Sequence, residues 1–464
     1  MTIWVPELPE QGPRYRAIVT AITEAIHREQ LKPGERLPPQ RRLADALRVT
    51  VGTVSRAYAE AERQGLVEGR VGSGTYVHGG ERTSVAFRQT TPDGDEMLVD
   101  LSLSLPPPHP DRPQGLGEAL ADIARDPLAL RHAVDYQHEQ GMVRHREVLA
   151  EWMTRLGIAV DAEELVITQG GQHGIFLALQ ALAQPGERIA ASMLTYPGLI
   201  CVAQQLHLKT LRVPLDEAGM DVEALARLCA QQPPRLVYIT PDQNNPTGVS
   251  LSESRRVRLA ELAREHDFWI VEDGVQYLPP EEQGTPLYRL APERTLYLFS
   301  TSKVIAGGLR IGTLRAPSML RERLATLQRA QSWMVPPLMA EAVCRWIDSG
   351  AAERLLDWQL DEIAARQRLA RERLASFRIS GQPHGFHVWL ELPAGQRAAA
   401  LLEQLERQHV RVTSAEPFCV GSEPAPQAIR LCVSAARSRE ALTRALDTLV
   451  ALLETPPDIP WRTL

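Results

Sequence analysis

The sequence predicts an α/β protein: a small helical head followed by a large body on a mainly parallel sheet. Short apolar runs alternate with helical stretches through most of the chain, and its first 78 residues instead combine helical periodicity with a glycine-rich hairpin. A length of 464 residues with 44% hydrophobic side chains leaves room for about three ordinary domains and real cores.

In the head, Ile18, Ile22 and Ile26 recur at helical spacing between Gly12 and Arg28, and Leu31-Lys32-Pro33-Gly34 ends that helix as a turn. A second helix is expected from Pro39 to Leu47. Thr50 reads as the N-cap of a third, continuing from Thr53 to Gln64 and stopping at Gly65. The tight turn between the second and third helices makes a helix-turn-helix. Two strands around a glycine-rich tip, from Leu66 to Val77, add a β-hairpin that carries Arg70 as a wing. Residues 1–78 hold 11 Lys+Arg against 9 Asp+Glu, a charge of +2; subtracted from the whole-chain totals of 51 and 57, the rest holds 40 against 48, or −8. A slightly basic head on an acidic body allows nucleic acid at the head only. Residues 79–98 mix Gly, Arg, Thr, Gln, Pro and Asp without periodicity and are expected to be a tether of about 25 Å r.m.s. span.

The body is expected from 99 to 455, with a small subdomain from roughly 340 to 455. Its buried runs are Leu165–Thr168, Leu236–Thr240, Phe268–Val271 and Leu296–Phe299. Parallel strands covered on both faces gather ligands at their carboxyl ends, and each run is followed by a motif. The first leads into Gln169-Gly170-Gly171-Gln172-His173-Gly174 and a helix over Ile175–Leu182, where backbone N–H groups suit a phosphate; a plain glycine turn is the alternative. The second leads into Asp242-Gln243-Asn244-Asn245-Pro246-Thr247-Gly248, where Asn245 offers an amide to a ligand oxygen or is an ordinary turn. The third ends in Glu272-Asp273, one of which suits a pyridinium nitrogen unless the pair caps a helix or lies at the surface. The fourth ends in Ser300-Thr301-Ser302-Lys303, with Arg310 seven residues beyond. Lysine occurs three times against 48 arginines. Arginine matches lysine for charge, but its guanidinium keeps its proton and cannot condense with an aldehyde. An amine for an aldehyde, a phosphate cradle, a carboxylate for a ring nitrogen and an amide for a ring oxygen together fit pyridoxal 5′-phosphate.

The head resembles the GntR-type winged helix-turn-helix over about sixty-five residues. That family's Leu-x-Pro-Gly-x-x-Leu-Pro is met by Leu31 to Pro38, and its Arg-x-Leu-Ala by Arg41-Arg42-Leu43-Ala44. The resemblance implies double-stranded DNA as partner, with Arg41 and the start of the third helix on the DNA and the wing touching phosphates or the minor groove. Where many members carry an arginine the chain has Val51, so base reading falls to Thr50, Thr53, Ser55, Arg56 or a thymine-methyl contact by Val51. A protein-binding winged helix is the alternative.

From about Leu101 onward the chain resembles fold-type I aminotransferases. This implies that Lys303 forms the internal aldimine, Asp273 keeps the ring nitrogen protonated, Asn245 and Tyr196 flank the ring, and Gly171, Gln172, Ser300, Ser302 and Arg310 hold the phosphate. Tyr136 matches a tyrosine that reaches a neighbouring subunit's phosphate, and Arg430 matches the arginine that clamps a substrate α-carboxylate; a salt bridge on an edge strand is its bland alternative. One departure stands out: Val275 and Gln276 occupy the places where the family commonly has a tyrosine bonded to the ring oxygen, and tyrosine comes only at Tyr277.

The two parts together resemble MocR-type regulators of the GntR family. The resemblance implies a homodimeric transcription regulator that senses an amine, an amino acid or the cofactor itself through Lys303, with His109 and Arg430 bordering the effector pocket. A working aminotransferase with an appended DNA-binding head is the other reading. Five widely spaced cysteines with no Cys-x-x-Cys pair suggest reduced thiols. No apolar stretch nears the ~18 residues a spanning helix needs, and the first residues lack signal-peptide order, so a cytoplasmic protein is expected.

Overall fold

The computed structural model describes residues 4–6, 8, 13–27, 30–32, 34–63, 66–70, 74–77, 97–421 and 423–454. The chain divides into two compact units, Met1–Thr90 and Thr91–Leu464. The expected tether lies mostly outside the described residues, as do Gly65 and the tip of the wing.

The first unit has helices Arg14–His27, Gln40–Leu47 and Val51–Arg63 and a hairpin of Val67–Arg70 with Gly74–Val77. Ile18, Ile22, Leu43, Val54, Ala57 and Val77 form its core. Full burial of each large aliphatic contributes about 1.5–3 kcal/mol. The segment before the second helix is stitched to the hairpin, Leu37 N–H donating to Thr75 O and Val77 N–H to Glu35 O. Arg48 takes a left-handed conformation (φ 52°) in the turn between the second and third helices.

The second unit is built on a seven-stranded sheet in the order Leu165–Thr168, Gly312–Arg315, Thr295–Ser300, Trp269–Asp273, Leu236–Ile239, Arg188–Ser192, Lys209–Val213. Gly312–Arg315 runs antiparallel to both neighbours, and the other pairings are parallel. Helices cover both faces, so the central strands are buried on both sides, which is why they read as unbroken apolar runs. Leu298 enters one core with Leu177 and Val271, while Phe299 enters the opposite core with Trp152 and Trp346. The helix after the first strand begins at Gly171, a turn earlier than Ile175, so the glycines are themselves its first turn.

A second, antiparallel sheet has the order Ile379–Ser380, Val388–Glu391, Ala428–Leu431, Thr413–Ser414. Val99–Asp100 pairs with Val410–Arg411, and Val99 and Leu101 join the core of this layer. Helix Pro337–Asp348 sends Val343, Trp346 and Ile347 into the large-sheet core. Among the described residues no helix is long and apolar enough to cross a membrane.

Candidate cofactor site and nucleic-acid face

Strand ends set the site. Trp269–Asp273 delivers two buried carboxylates to opposite faces, because side chains alternate along a strand. Glu272 accepts from the backbone N–H groups of Leu287 (2.8 Å) and Tyr288 (2.9 Å), capping a short helix; burial still pushes it up to about 7. Asp273 accepts from the Val275 N–H (2.9 Å) and from the phenol of Tyr238, and burial raises its pKa against those bonds. The structure thus separates a capping carboxylate from one available to a ligand.

Thr295–Ser300 delivers the hydroxyls and the amine. The Ser300 hydroxyl donates to that of Ser302 (3.0 Å), and Ser302 Oγ accepts from Arg310 (3.5 Å), which also donates to Gln169 O (3.3 Å). Arg310 sits in the left-handed region (φ 54°) directly over Gly170, where an added Cβ would lie 2.5 Å from its guanidinium. Gly170 itself has φ 79°, and Gly171 opens the helix whose first-turn N–H groups have no partner within the helix. Gln172 donates to Gly198 O (3.0 Å) and leaves its Oε1 buried without a partner. A helix N-terminus, two hydroxyls and a guanidinium whose partners among the described residues include no carboxylate form a donor set for a dianion.

Lys303 Nζ donates to the carbonyl of Ser104 and lies 5.7 Å from the Phe386 ring. Burial lowers its pKa to about 8, and the charges of Arg430 and Arg310 act in the same direction. Arg430 is buried. It donates to Asn245 Oδ1 (2.8 Å) and Ser102 O (2.6 Å), stands over Phe418, and leaves its Nε unpartnered. Its strand lies between two others, which removes the edge-strand alternative. Tyr196 precedes helix Pro197–Gln205, and its phenol is pushed up to about 12 by burial and by the charge of Asp273.

Tyr136 is 80% exposed beside Trp333, and His109 packs against Trp358. Tyr277 is buried in the core with Tyr288 and Trp346, so it does not restore the missing phenol; Gln276 is buried with its Oε1 unpartnered. Tyr238, Phe386 and the carbonyls of Ser102 and Ser104 were missed from sequence. A tyrosine inside an apolar strand run was the one available signal.

In the first unit, Thr50 Oγ1 accepts from the Thr53 N–H (3.2 Å), capping the third helix, and touches the Thr53 hydroxyl (2.9 Å). Val51 is exposed; Arg41 is exposed without a partner among the described residues. Arg56 lies over the Tyr15 ring at 4.1 Å. The Ser55 hydroxyl turns inward to Gln40 Oε1 (2.6 Å), so it is engaged within the fold. The backbone of Arg70 lies on the hairpin, and its side chain falls outside the described residues.

This combination defines a class: a DNA-binding head and a fold-type I body with a pyridoxal-phosphate cradle. The model of aminotransferase class I and II matches residues 116–449, and that of the gntR family of bacterial regulatory proteins matches residues 14–77. The chain belongs to the class I and II aminotransferase family, carries a GntR head, and has the architecture of MocR-type transcription regulators. It is 29% identical to the uncharacterized HTH-type transcriptional regulator YdeF of Bacillus subtilis, over 97% of each chain. It is 30% identical to the HTH-type pyridoxine biosynthesis transcriptional regulator PdxR of Corynebacterium glutamicum, over 73% of this chain and 74% of that one. Among solved structures it is similar to the α-aminoadipate aminotransferase LysN of Thermus thermophilus complexed with N-(5′-phosphopyridoxyl)-L-leucine, with TM-score 0.69, 26% identity, and coverage of 81% of this chain and 96% of that one. The cofactor of the body is pyridoxal 5′-phosphate, and the GntR head binds DNA.

Proposed function

We propose that the chain is a regulator whose body senses a small amine or amino acid with pyridoxal 5′-phosphate and passes that occupancy to an operator through the head. When bound, the cofactor supplies a reversible covalent trap for primary amines. In this reading Lys303 holds its aldehyde, Asp273 its ring nitrogen and Asn245 its ring oxygen, with Tyr196 on the ring face. Gly171, Gln172, Ser300, Ser302 and Arg310 take the phosphate, and Arg430 takes the effector's carboxylate. Two copies would bring two heads to two half-sites, and the exposed Leu128, Val134, Tyr136 and Trp333 supply apolar surface for the pairing.

One observation carries the sensing role. The amine of Lys303 and the guanidinium of Arg430 are both held by carbonyls of one short segment, Ser104 and Ser102 respectively. That segment follows Val99–Asp100, the first strand after the expected tether. A carboxylate taking Arg430 displaces the Ser102 carbonyl, and an occupied Lys303 releases that of Ser104. Ligand binding therefore competes with the seating of the stretch that leads back to the head, a differential contact of the kind an allosteric change requires. Gln276, standing where a catalytic phenol is usual, favours sensing over turnover.

The test is operator affinity measured with a panel of amines and amino acids, for the cofactor-loaded chain and for Lys303→Ala. An amine that changes affinity at least about fivefold, and does so only when Lys303 is present, is the expected result. Rapid multiple turnover with an oxo acid acceptor and no DNA binding would overturn the proposal in favour of a working aminotransferase.

A further inference from the structure

Beside Arg430 lies a second set of polar groups that no contact in the fold explains. Gln243 and His387 are wholly buried; neither amide atom of Gln243 has a hydrogen-bond partner, the ring nitrogens of His387 have only the Asn244 backbone near them, and Gln367 Oε1, also buried, has none. Unsatisfied buried polar atoms are rare because each forfeits its hydration without return. Atoms of this kind call for a ligand or water.

The backbone brings them together. Gln243 lies flush against Gly385, where an added Cβ would collide with its Nε2. Gln367 Nε2 donates to the carbonyls of Gly385 (2.5 Å) and His387 (3.2 Å), pinning that turn to helix Ala351–Arg373. Trp389 is the register partner of Arg430, so His387, two residues earlier, shares the face of the sheet that carries Arg430. Burial, with Arg430 and Lys303 adding to it, pushes the His387 pKa down to about 3 and keeps the imidazole neutral; only the backbone of Asn244 lies close enough to oppose this.

We propose that Gln243 and His387 form the side-chain subsite of the effector, and that its ligand is an amino acid ending in a carboxamide. This rests on the sensing reading above, which puts the effector's carboxylate on Arg430. A neutral imidazole and a primary amide each present one donor atom and one acceptor atom, the complement of a carboxamide. A second carboxylate only accepts hydrogen bonds, so it would leave Gln243 Oε1, Gln367 Oε1 and the bare imidazole nitrogen without a donor, and an ammonium would face Arg430 and Lys303. An aliphatic side chain would leave these polar atoms unpaired.

The experiment titrates the cofactor-loaded full chain with L-glutamine and L-asparagine, with L-glutamate and L-aspartate, and with L-methionine and L-leucine, following the cofactor's visible absorption and, separately, binding heat. At least one carboxamide should bind about tenfold or more tighter than its carboxylate and apolar counterparts, the scale expected for unpaired buried hydrogen-bonding groups. Gln243→Leu and His387→Phe should each collapse that ratio towards one. Because a ratio of affinities is insensitive to the fraction of protein folded, a destabilised variant still reports. A crystal structure with the preferred amino acid should place its carboxamide on Gln243 and His387. Equal binding of the three classes, or ordered water alone between these side chains, overturns the subsite and leaves the sensing reading intact. If no amino acid perturbs the cofactor at all, both fall.

Discussion

At the residue scale the chain's economy with lysine has a chemical reading. Of its 51 cationic side chains only three are primary amines, and one of them, Lys303, is half-buried at a strand end with its pKa lowered to about 8. An ammonium cannot attack an aldehyde, so the depressed value matters through the neutral fraction it creates. That fraction rises with pH through about 8, whereas an unperturbed lysine would reach the same fraction only near its ordinary value of about 10.4. Cofactor capture by the cofactor-free chain should therefore accelerate as pH rises to about 8 and level off above it, measured by stopped-flow absorption. A rate still climbing steeply well above that point would show an unshifted amine. Lys303→Arg, which keeps a charge but cannot condense, should abolish the phase.

At the element scale, the site residues occupy the ends of strands, and those strands were the legible ones. Leu165–Thr168, Leu236–Ile239 and Thr295–Ser300 are buried on both faces and so contain little but apolar residues. Arg188–Ser192, Lys209–Val213 and Gly312–Arg315 escaped because each has a cation at one end; Arg315 is solved by tertiary partners, donating to the carbonyls of Pro292 and Thr295 and to Glu164, that no local pattern announces. The same limit hid Ser102 and Ser104, whose role is in their carbonyls and not in their side chains. In the head, the turn closing the second helix has Arg48 in the left-handed region, with the Val49 N–H returning to Ala44 O (3.0 Å). A side chain there is strained where glycine is not. Arg48→Gly should stabilise the head by about 1 kcal/mol, seen as slower exchange of the amides of helix Val51–Arg63. Unchanged or faster exchange would mean that the arginine side chain returns more than its backbone costs.

At the scale of the whole molecule the charge asymmetry and the exposed Arg41 bear on how the head meets DNA. As a phosphate contact, Arg41 contributes one released counterion, so Arg41→Ala should weaken binding on every sequence and flatten the salt slope by about 0.9. An unchanged slope would take Arg41 off the backbone. Sensing makes a stricter demand on the chain as a unit. If an amino acid changes operator affinity by some factor, the operator must change the amino acid's affinity by the same factor, since both are one coupling free energy. With a coupling of about 1–3 kcal/mol, the expected factor is 5–150-fold in each direction. Titrating the effector into the loaded chain with and without saturating operator should recover the factor found in the DNA measurement. In Lys303→Ala both factors should fall to one together, because the Ser104 carbonyl then has no amine to release. Equal effector affinity with and without DNA would mean that head and body are joined only by the chain, and the body would then be an enzyme that happens to carry a DNA-binding domain.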